Sequence, residues 1–329
     1  MNIKTFTASV IIALSFASTS EAKSSAVLSV DGQETIKEFR EACRLYDKGM
    51  VNRSKVLFDA MSDKDSKADS EGYSVLCDVM MKTPGYELRM KEFFRTYPYS
   101  VHIPQIRYAY ALNLFDAQKY KAASAELALI KPKQLEKSQR TEFLFKRAYS
   151  DLENKDYDLA LLRFRDVEKL PVSEYTAPSR YAIGYINYQK KDFREALPWF
   201  EKSAEDGRFE AISNWYIMEC RFMMHDYSYV VKYGPDMYET IAAERKPHLA
   251  RIISESYLVL GDADSARRYY GLSTDVDAPK TRADWFYSGS VLYAVEDYKG
   301  AIDSFNQMGM RADSLGQIAN YQLGYSYIQ

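Results

Sequence analysis

Little in this chain points to chemistry. Three cysteines in 329 residues are too few for a disulfide framework. Three histidines, His102, His225 and His248, lie far apart and never fall at metal-ligand spacing. There is no G-x-S-x-G nucleophile turn, no G-x-x-x-x-G-K-[ST] phosphate loop and no G-x-G-x-x-G dinucleotide turn. No metal and no cofactor is expected, and no enzyme is indicated. Forty-four basic residues against 46 acidic ones give a net charge of −2, with no concentrated basic run. That excludes a nucleic-acid partner, whose binding needs a positive footprint. No later segment holds the 18 or so consecutive apolar residues of a membrane-spanning helix. Ten prolines and 14 glycines are few, as suits a chain rich in helix.

What is abundant is apolar residues at helical spacing. In Ala177 to Glu210, Tyr181, Ile183, Gly184 and Tyr188 mark one amphipathic helix, and Phe193, Ala196, Leu197 and Phe200 a second. Asp192 stands where its carboxylate accepts a backbone N–H at the second helix's start, and Glu195 completes a capping box. Gly184 and Ala196 are small where the helices would cross.

The stretch recurs. Counterparts of Ala196 are Ser54, Arg89, Ala123, Ala160, Val230, Ala266 and Ala301, at steps of 35, 34, 37, 36, 34, 36 and 35 residues. Four residues on come Phe58, Phe93, Leu127, Phe164, Phe200, Gly234, Tyr270 and Phe305. An Asp opens the second helix at 156, 192, 226, 262 and 297. The first-helix small residue is Ala42, Cys77, Ala111, Ala148, Gly184, Ser254, Gly289 and Gly324, with Met218 the bulky exception. This pattern resembles the tetratricopeptide repeat, in which W-x2-L-G-x2-Y is followed by A-x3-F. Trp285, Gly289, Ala301 and Phe305 carry most of it in one unit, and Leu323, Gly324 and Tyr327 carry the L-G-x2-Y part in another. The resemblance covers about residues 34–329. It implies an all-α fold, a right-handed α-solenoid of tandem helical hairpins, with about eight units and the last incomplete. Arg89 and Gly234 break the pattern and mark the second and sixth units as irregular.

The N-terminus reads separately. Lys4, the apolar run Ala8 to Ala17 and the small residues Ser20 and Ala22 resemble a secretory signal over residues 1–22. The mature chain is therefore expected to be exported and not membrane-spanning, with the periplasm as its address and outer-membrane association open. Residues 23–33 read as a polar leader and Asp63 to Gly72 as a solvated inter-repeat loop. The link from Gly234 to Pro247, with two prolines, reads as a kink. The ending of the second unit, Phe93 to Ser100, is similar to an F-x2-YP-x-S junction of envelope tetratricopeptide proteins. Cys77 and Cys220 fall at packing positions, and Cys43 faces the groove as a free thiol. The final unit stops inside its first helix, which leaves room for further C-terminal repeats or a domain.

The resemblance also places the binding face. Tetratricopeptide first helices line an inner groove that three positions per helix tend to face, and two of these carry the rings and charges here. Tyr108, Phe145, Tyr149, Tyr181, Tyr185 and Trp215 would form an aromatic strip across units three to six, with Glu219, Arg251 and Glu255 adding charge beyond it. No Asn stands at the second groove position, so the carboxylate clamp of chaperone-binding repeats is not expected. Two readings of the rings stand side by side: a surface for a protein or peptide partner in the cell envelope, or packing between units. The alternative to a protein-binding scaffold is a saccharide- or peptidoglycan-binding module of a larger cell-wall hydrolase or transglycosylase.

Overall fold

The computed structural model describes residues 30–61, 67–273, 281–309 and 311–329. The expected signal at residues 1–22 lies outside the described residues. Among the described residues there are seventeen α-helices and no strand. They pair as hairpins: α1 (Val30–Asp47) with α2 (Val51–Ala60), α3 (Lys67–Met81) with α4 (Tyr86–Thr96), α5 (Ile103–Asp116) with α6 (Tyr120–Ala128), and α7 (Arg140–Glu153) with α8 (Tyr157–Glu168). Next come α9 (Thr176–Gln189) with α10 (Phe193–Ala204), α11 (Glu210–Met223) with α12 (Tyr227–Thr240), α13 (Lys246–Val259) with α14 (Ala263–Ser273), and α15 (Arg282–Ala294) with α16 (Tyr298–Met308). A last helix, α17 (Ser314–Ile328), packs on α15 and α16. The chain divides into two compact units, residues 1–179 and 180–329.

The hairpin turn has one recurring chemistry. The residue just before the second helix's N-cap is left-handed: Gly49, Gln118, Lys155, Lys191, His225, Gly261 and Glu296 have φ between 59° and 84°. Five of the caps are Asp156, Asp192, Asp226, Asp262 and Asp297. Each accepts the backbone N–H three residues on, at 3.0–3.3 Å. The carboxylate satisfies an orphan donor and sits at the positive end of the helix dipole.

Helix crossings are close because small residues face one another. A Cβ on Gly184 would lie 2.9 Å from the Phe200 ring, and one on Gly289 would lie 2.5 Å from Phe305. These rings occupy the space a side chain would need. Serine at a crossing reaches the opposite backbone: Ser54 Oγ donates to Ala42 O at 2.8 Å, and Ser254 Oγ to Ala266 O at 2.5 Å. Phe58, Phe93, Leu127, Phe164, Phe200 and Phe305 are buried. Burial of such a side chain is worth about 1.5–3 kcal/mol.

The irregular units have physical compensations. Arg89 takes the small position of α4, and its guanidinium pairs with the buried Asp78 carboxylate and donates to Ser74. Gly234 takes the place of the ring in α12, and Ile253 of α13 fills the space; a Cβ at Gly234 would be 2.6 Å from Ile253 Cγ1.

Several expectations are corrected. Residues 30–33 of the leader belong to α1, since polar residues extend a helix without apolar periodicity. Lys67 to Gly72 are helical, whereas they read as loop; residues 63–66 lie outside the described residues. Gly72 fits inside α3 because the His102 ring lies against it, where a Cβ would approach Cδ2 to 2.6 Å, and His102 Nε2 is 3.1 Å from Asp69. Gly234 to Thr240 continue α12 straight through Pro235. Pro235 has no N–H for the Val231 carbonyl four residues earlier. The Tyr257 hydroxyl of α13 donates to that carbonyl instead, at 3.4 Å. Only Ala243–Arg245, a short 3-10 turn, separates α12 from α13 along with the residues beside it. Cys77 and Cys220 are buried, and all three thiols are free. Burial pushes the Cys43 thiol up to about 11, so it stays protonated near neutral pH.

Candidate functional site

The first helices of successive hairpins are tied by side chains about one repeat apart. In the first unit Gln105 Nε2 donates to Gln139 at 2.9 Å, and the Tyr108 hydroxyl donates to Glu142 at 3.0 Å. Asn113 Nδ2 donates to the Val79 carbonyl at 2.7 Å. In the second unit the Tyr188 hydroxyl donates to Glu219 at 3.1 Å, and Arg251 Nη1 donates to Asp284 at 2.6 Å. Ser290 Oγ donates to Gln322 at 3.0 Å. The face built by these first helices is the one that the repeat pattern points to for binding.

In the first unit the expected strip is core. Tyr149 is 2% exposed. It lies against Phe115, Tyr120 and Phe145 with ring centroids 5.4, 5.7 and 6.1 Å away. Phe145 is buried against Phe164 and Tyr175, and Tyr108 is buried against Phe143. The reading of Tyr108, Phe145 and Tyr149 as open contact rings is therefore replaced by packing between hairpins. The large rings of the preceding hairpin, Phe115 and Tyr120, cover the position at Tyr149 that a small neighbour would have left open.

The second unit is different. Tyr181 is also buried, held by Phe200, Phe209 and Tyr216. It forms a floor. Tyr185 stacks on it at 6.4 Å with an 18° interplanar angle, meets the edge of Tyr216 at 6.0 Å, and is half-buried. Trp215 is half-buried on α11. The Arg245 guanidinium lies over its ring, 5.1 Å from the centroid, and the His248 imidazole packs beside it at 5.5 Å.

The charges expected beyond the strip are engaged. Glu219 is buried, and its carboxylate accepts from Tyr188 and from His248 Nε2, the latter at 2.6 Å. That bond raises the His248 pKa above its ordinary value, since the carboxylate stabilises the imidazolium. Arg251 spans two helices, with Nε on Glu255 at 3.1 Å and Nη1 on Asp284. Its guanidinium also lies over the Tyr287 ring at 5.8 Å.

Sequence reasoning missed Tyr188, Tyr216, Arg245, His248 and Asp284. His248 was weighed only as a metal ligand, which its isolation excludes. The usable signal was the offset of 29–33 residues between Glu219 or Arg251 and a polar residue on the neighbouring first helix. Among the described residues no group of three or more His, Cys, Asp and Glu is placed to hold a metal. No helix among them is long and apolar enough to cross a membrane.

The hairpins, their 34–37-residue step and the ring-over-glycine crossings define a tetratricopeptide-like, all-α repeat fold. Comparison with solved structures adds a likeness to the apo form of RapI. That match has 12% identity and a TM-score of 0.51 over 90% of this chain and 98% of that one. At that identity the likeness is one of fold alone. A tetratricopeptide repeat protein from Parabacteroides merdae matches with a TM-score of 0.39 and 12% identity, over 90% of this chain and 100% of that one. A Rap protein complexed with competence and sporulation factor matches with a TM-score of 0.40 and 14% identity, over 90% and 98%. Neither of these two scores bears weight. No family model matches the chain, and no curated protein matches it.

Proposed function

We propose that the chain is an exported, non-catalytic scaffold whose first-helix face in the second unit binds a protein or peptide partner in the cell envelope. The observation that carries this reading is the pair of half-buried rings, Tyr185 stacked on the buried Tyr181 and Trp215 packed against the buried cluster around Met218 and Leu249. Rings already held in place lose little freedom when a partner covers them, so they contribute strongly to binding. Export rests on the signal-like residues 1–22, and the envelope on the Phe93 to Ser100 junction.

The saccharide-binding alternative has less support. The Arg245 guanidinium covers one face of the Trp215 indole, which a sugar ring would otherwise stack against. The test is Tyr185→Ala combined with Trp215→Ala, measured by capture from an envelope extract beside a melting curve. Capture should be lost, with a cost of about 2 kcal/mol or more per anchor, while the melt stays close to wild type. Unchanged capture would place the binding surface elsewhere. Export is tested by sequencing the N-terminus of the processed protein, which should begin near Lys23.

A further inference from the structure

The first-helix face of the second unit is unevenly paired. Its acids are occupied: Glu219 by Tyr188 and His248, and Glu255 and Asp284 by Arg251. Two of its cations are not. The Arg245 guanidinium lies over Trp215, 5.1 Å from the ring centroid, and among the described residues no acidic side chain forms an ion pair with it. Lys246 beside it lies over the Tyr238 ring at 4.8 Å, again with no acidic partner among the described residues. His248 on the same helix is 54% exposed at its side chain, and its ordinary charge balance is tilted towards the cation by Glu219.

An Arg on an aromatic face keeps its in-plane N–H donors free, because the ring contacts only the flat side of the guanidinium. The contact also limits how far the fork can move. Such a fork matches a carboxylate with two parallel hydrogen bonds. Because the indole already holds it in place, binding orders little more of the side chain. Arg251 on the same face points instead to carboxylates of the chain itself, Glu255 and Asp284.

Resting on the peptide-binding reading above, we propose that Arg245 on Trp215 is the anchor for a carboxylate of an acidic peptide, with Lys246 and His248 flanking it. Tyr185 takes an apolar residue of the same peptide. The ligand is thus an extended segment that combines Asp or Glu with an apolar or aromatic side chain.

The experiment selects random dodecapeptides displayed on phage against the full chain, with counter-selection on Trp215→Ala. Peptides rich in Asp and Glu should be enriched. Synthetic copies should bind at least tenfold more weakly to Arg245→Gln and to their own Asn and Gln isosteres, and weaken as salt rises. Arg268→Gln serves as the control, since Arg268 lies over Tyr269 on α14 at 5.6 Å and should leave binding unchanged. Enrichment of neutral or basic peptides, or equal binding to Arg245→Gln, would overturn the anchor while leaving peptide binding intact. Failure to enrich any peptide would overturn both readings. Retention of polygalacturonate by the wild type, lost in Arg245→Gln, would assign the anchor to an acidic saccharide and overturn the peptide.

Discussion

Arg89 and Asp78 offer a direct test of how this fold tolerates a charge at a helix crossing. The Asp78 side chain is 7% exposed, and the Arg89 side chain 37%. Asp78 also accepts from Thr83 Oγ1 at 2.9 Å and lies 3.6 Å from Lys55 Nζ. Removing the carboxylate leaves the guanidinium with only the more distant Asp59, at 3.4 Å, and Ser74, and leaves Thr83 without its acceptor. Breaking a fully buried pair costs about 3–5 kcal/mol. Solvent reaches Arg89, so the lower end applies and Asp78→Ala should cost about 3 kcal/mol. Arg89→Ala leaves the carboxylate buried but near Lys55 and Thr83, and should cost about 2 kcal/mol. The double substitution puts alanine where Ala123, Ala160, Ala196, Ala266 and Ala301 already stand, and leaves no unpaired buried charge. It should cost about 2 kcal/mol rather than the additive sum, a coupling of about 3 kcal/mol. Trp199, Trp215 and Trp285 all lie in the second unit, so their fluorescence does not report on this hairpin. Urea titration followed by circular dichroism, with hydrogen exchange of the α3 and α4 amides, is the suitable assay. Additive costs within about 0.5 kcal/mol would refute the reasoning.

Three further outcomes follow from the packing. Gly234→Ala should destabilise by about 1–3 kcal/mol through overpacking on Ile253, and its cost should be strongly non-additive with Ile253→Ala in a double-mutant cycle. Lys191→Gly should raise stability by about 0.5–1 kcal/mol, because Lys191 sits at φ 62°, where an L side chain is strained; a lower melting temperature would contradict this. His248 has a folded pKa raised by the Glu219 bond, with Arg251 lowering it and Glu255 raising it from the same side. The sign is fixed: the pair's stabilisation is fully present below the unfolded-state value of about 6.5 and is lost as pH rises through the higher folded value. Wild type should therefore lose more stability than His248→Gln between about pH 6 and about pH 8, and parallel curves would refute it.

The fold was legible because its signals are local and repeated. A small residue, a ring four positions on and an Asp cap can be read from one hairpin and checked against seven others. Lys67 to Gly72 and Gly234 to Thr240 were misread for one reason. Glycine, proline and charge are locally poor helix signals, and the partners that rescue these segments, His102 and Tyr257, lie about one repeat away in sequence. The site was legible only in part. Spacing identified which helix face Tyr149 and Tyr181 occupy, but not that neighbouring rings bury them. Whether a side chain at such a position is open depends on the size of residues in the adjacent hairpin. Arg245 lay outside any first-helix pattern, in the turn before α13, so periodicity never sampled it.

The unequal bridges between first helices have a mechanical meaning. Glu219 is gripped from both sides, by Tyr188 of α9 and His248 of α13, so α11 is clamped to both neighbours. The joint between α13 and α15 is held by the charged Arg251–Asp284 contact. The joint between α15 and α17 has a neutral bond, Ser290 to Gln322, and a bidentate charged pair, Arg282 to the α17 N-cap Asp313 at 2.9 and 3.0 Å. Charged hydrogen bonds are roughly twice as strong as neutral ones, so each of these joints is held by at least one strong contact, and α11 alone is held from both sides. Under tension or a twisting load, the α9–α11–α13 segment that carries Trp215 and Tyr185 should therefore keep its spacing.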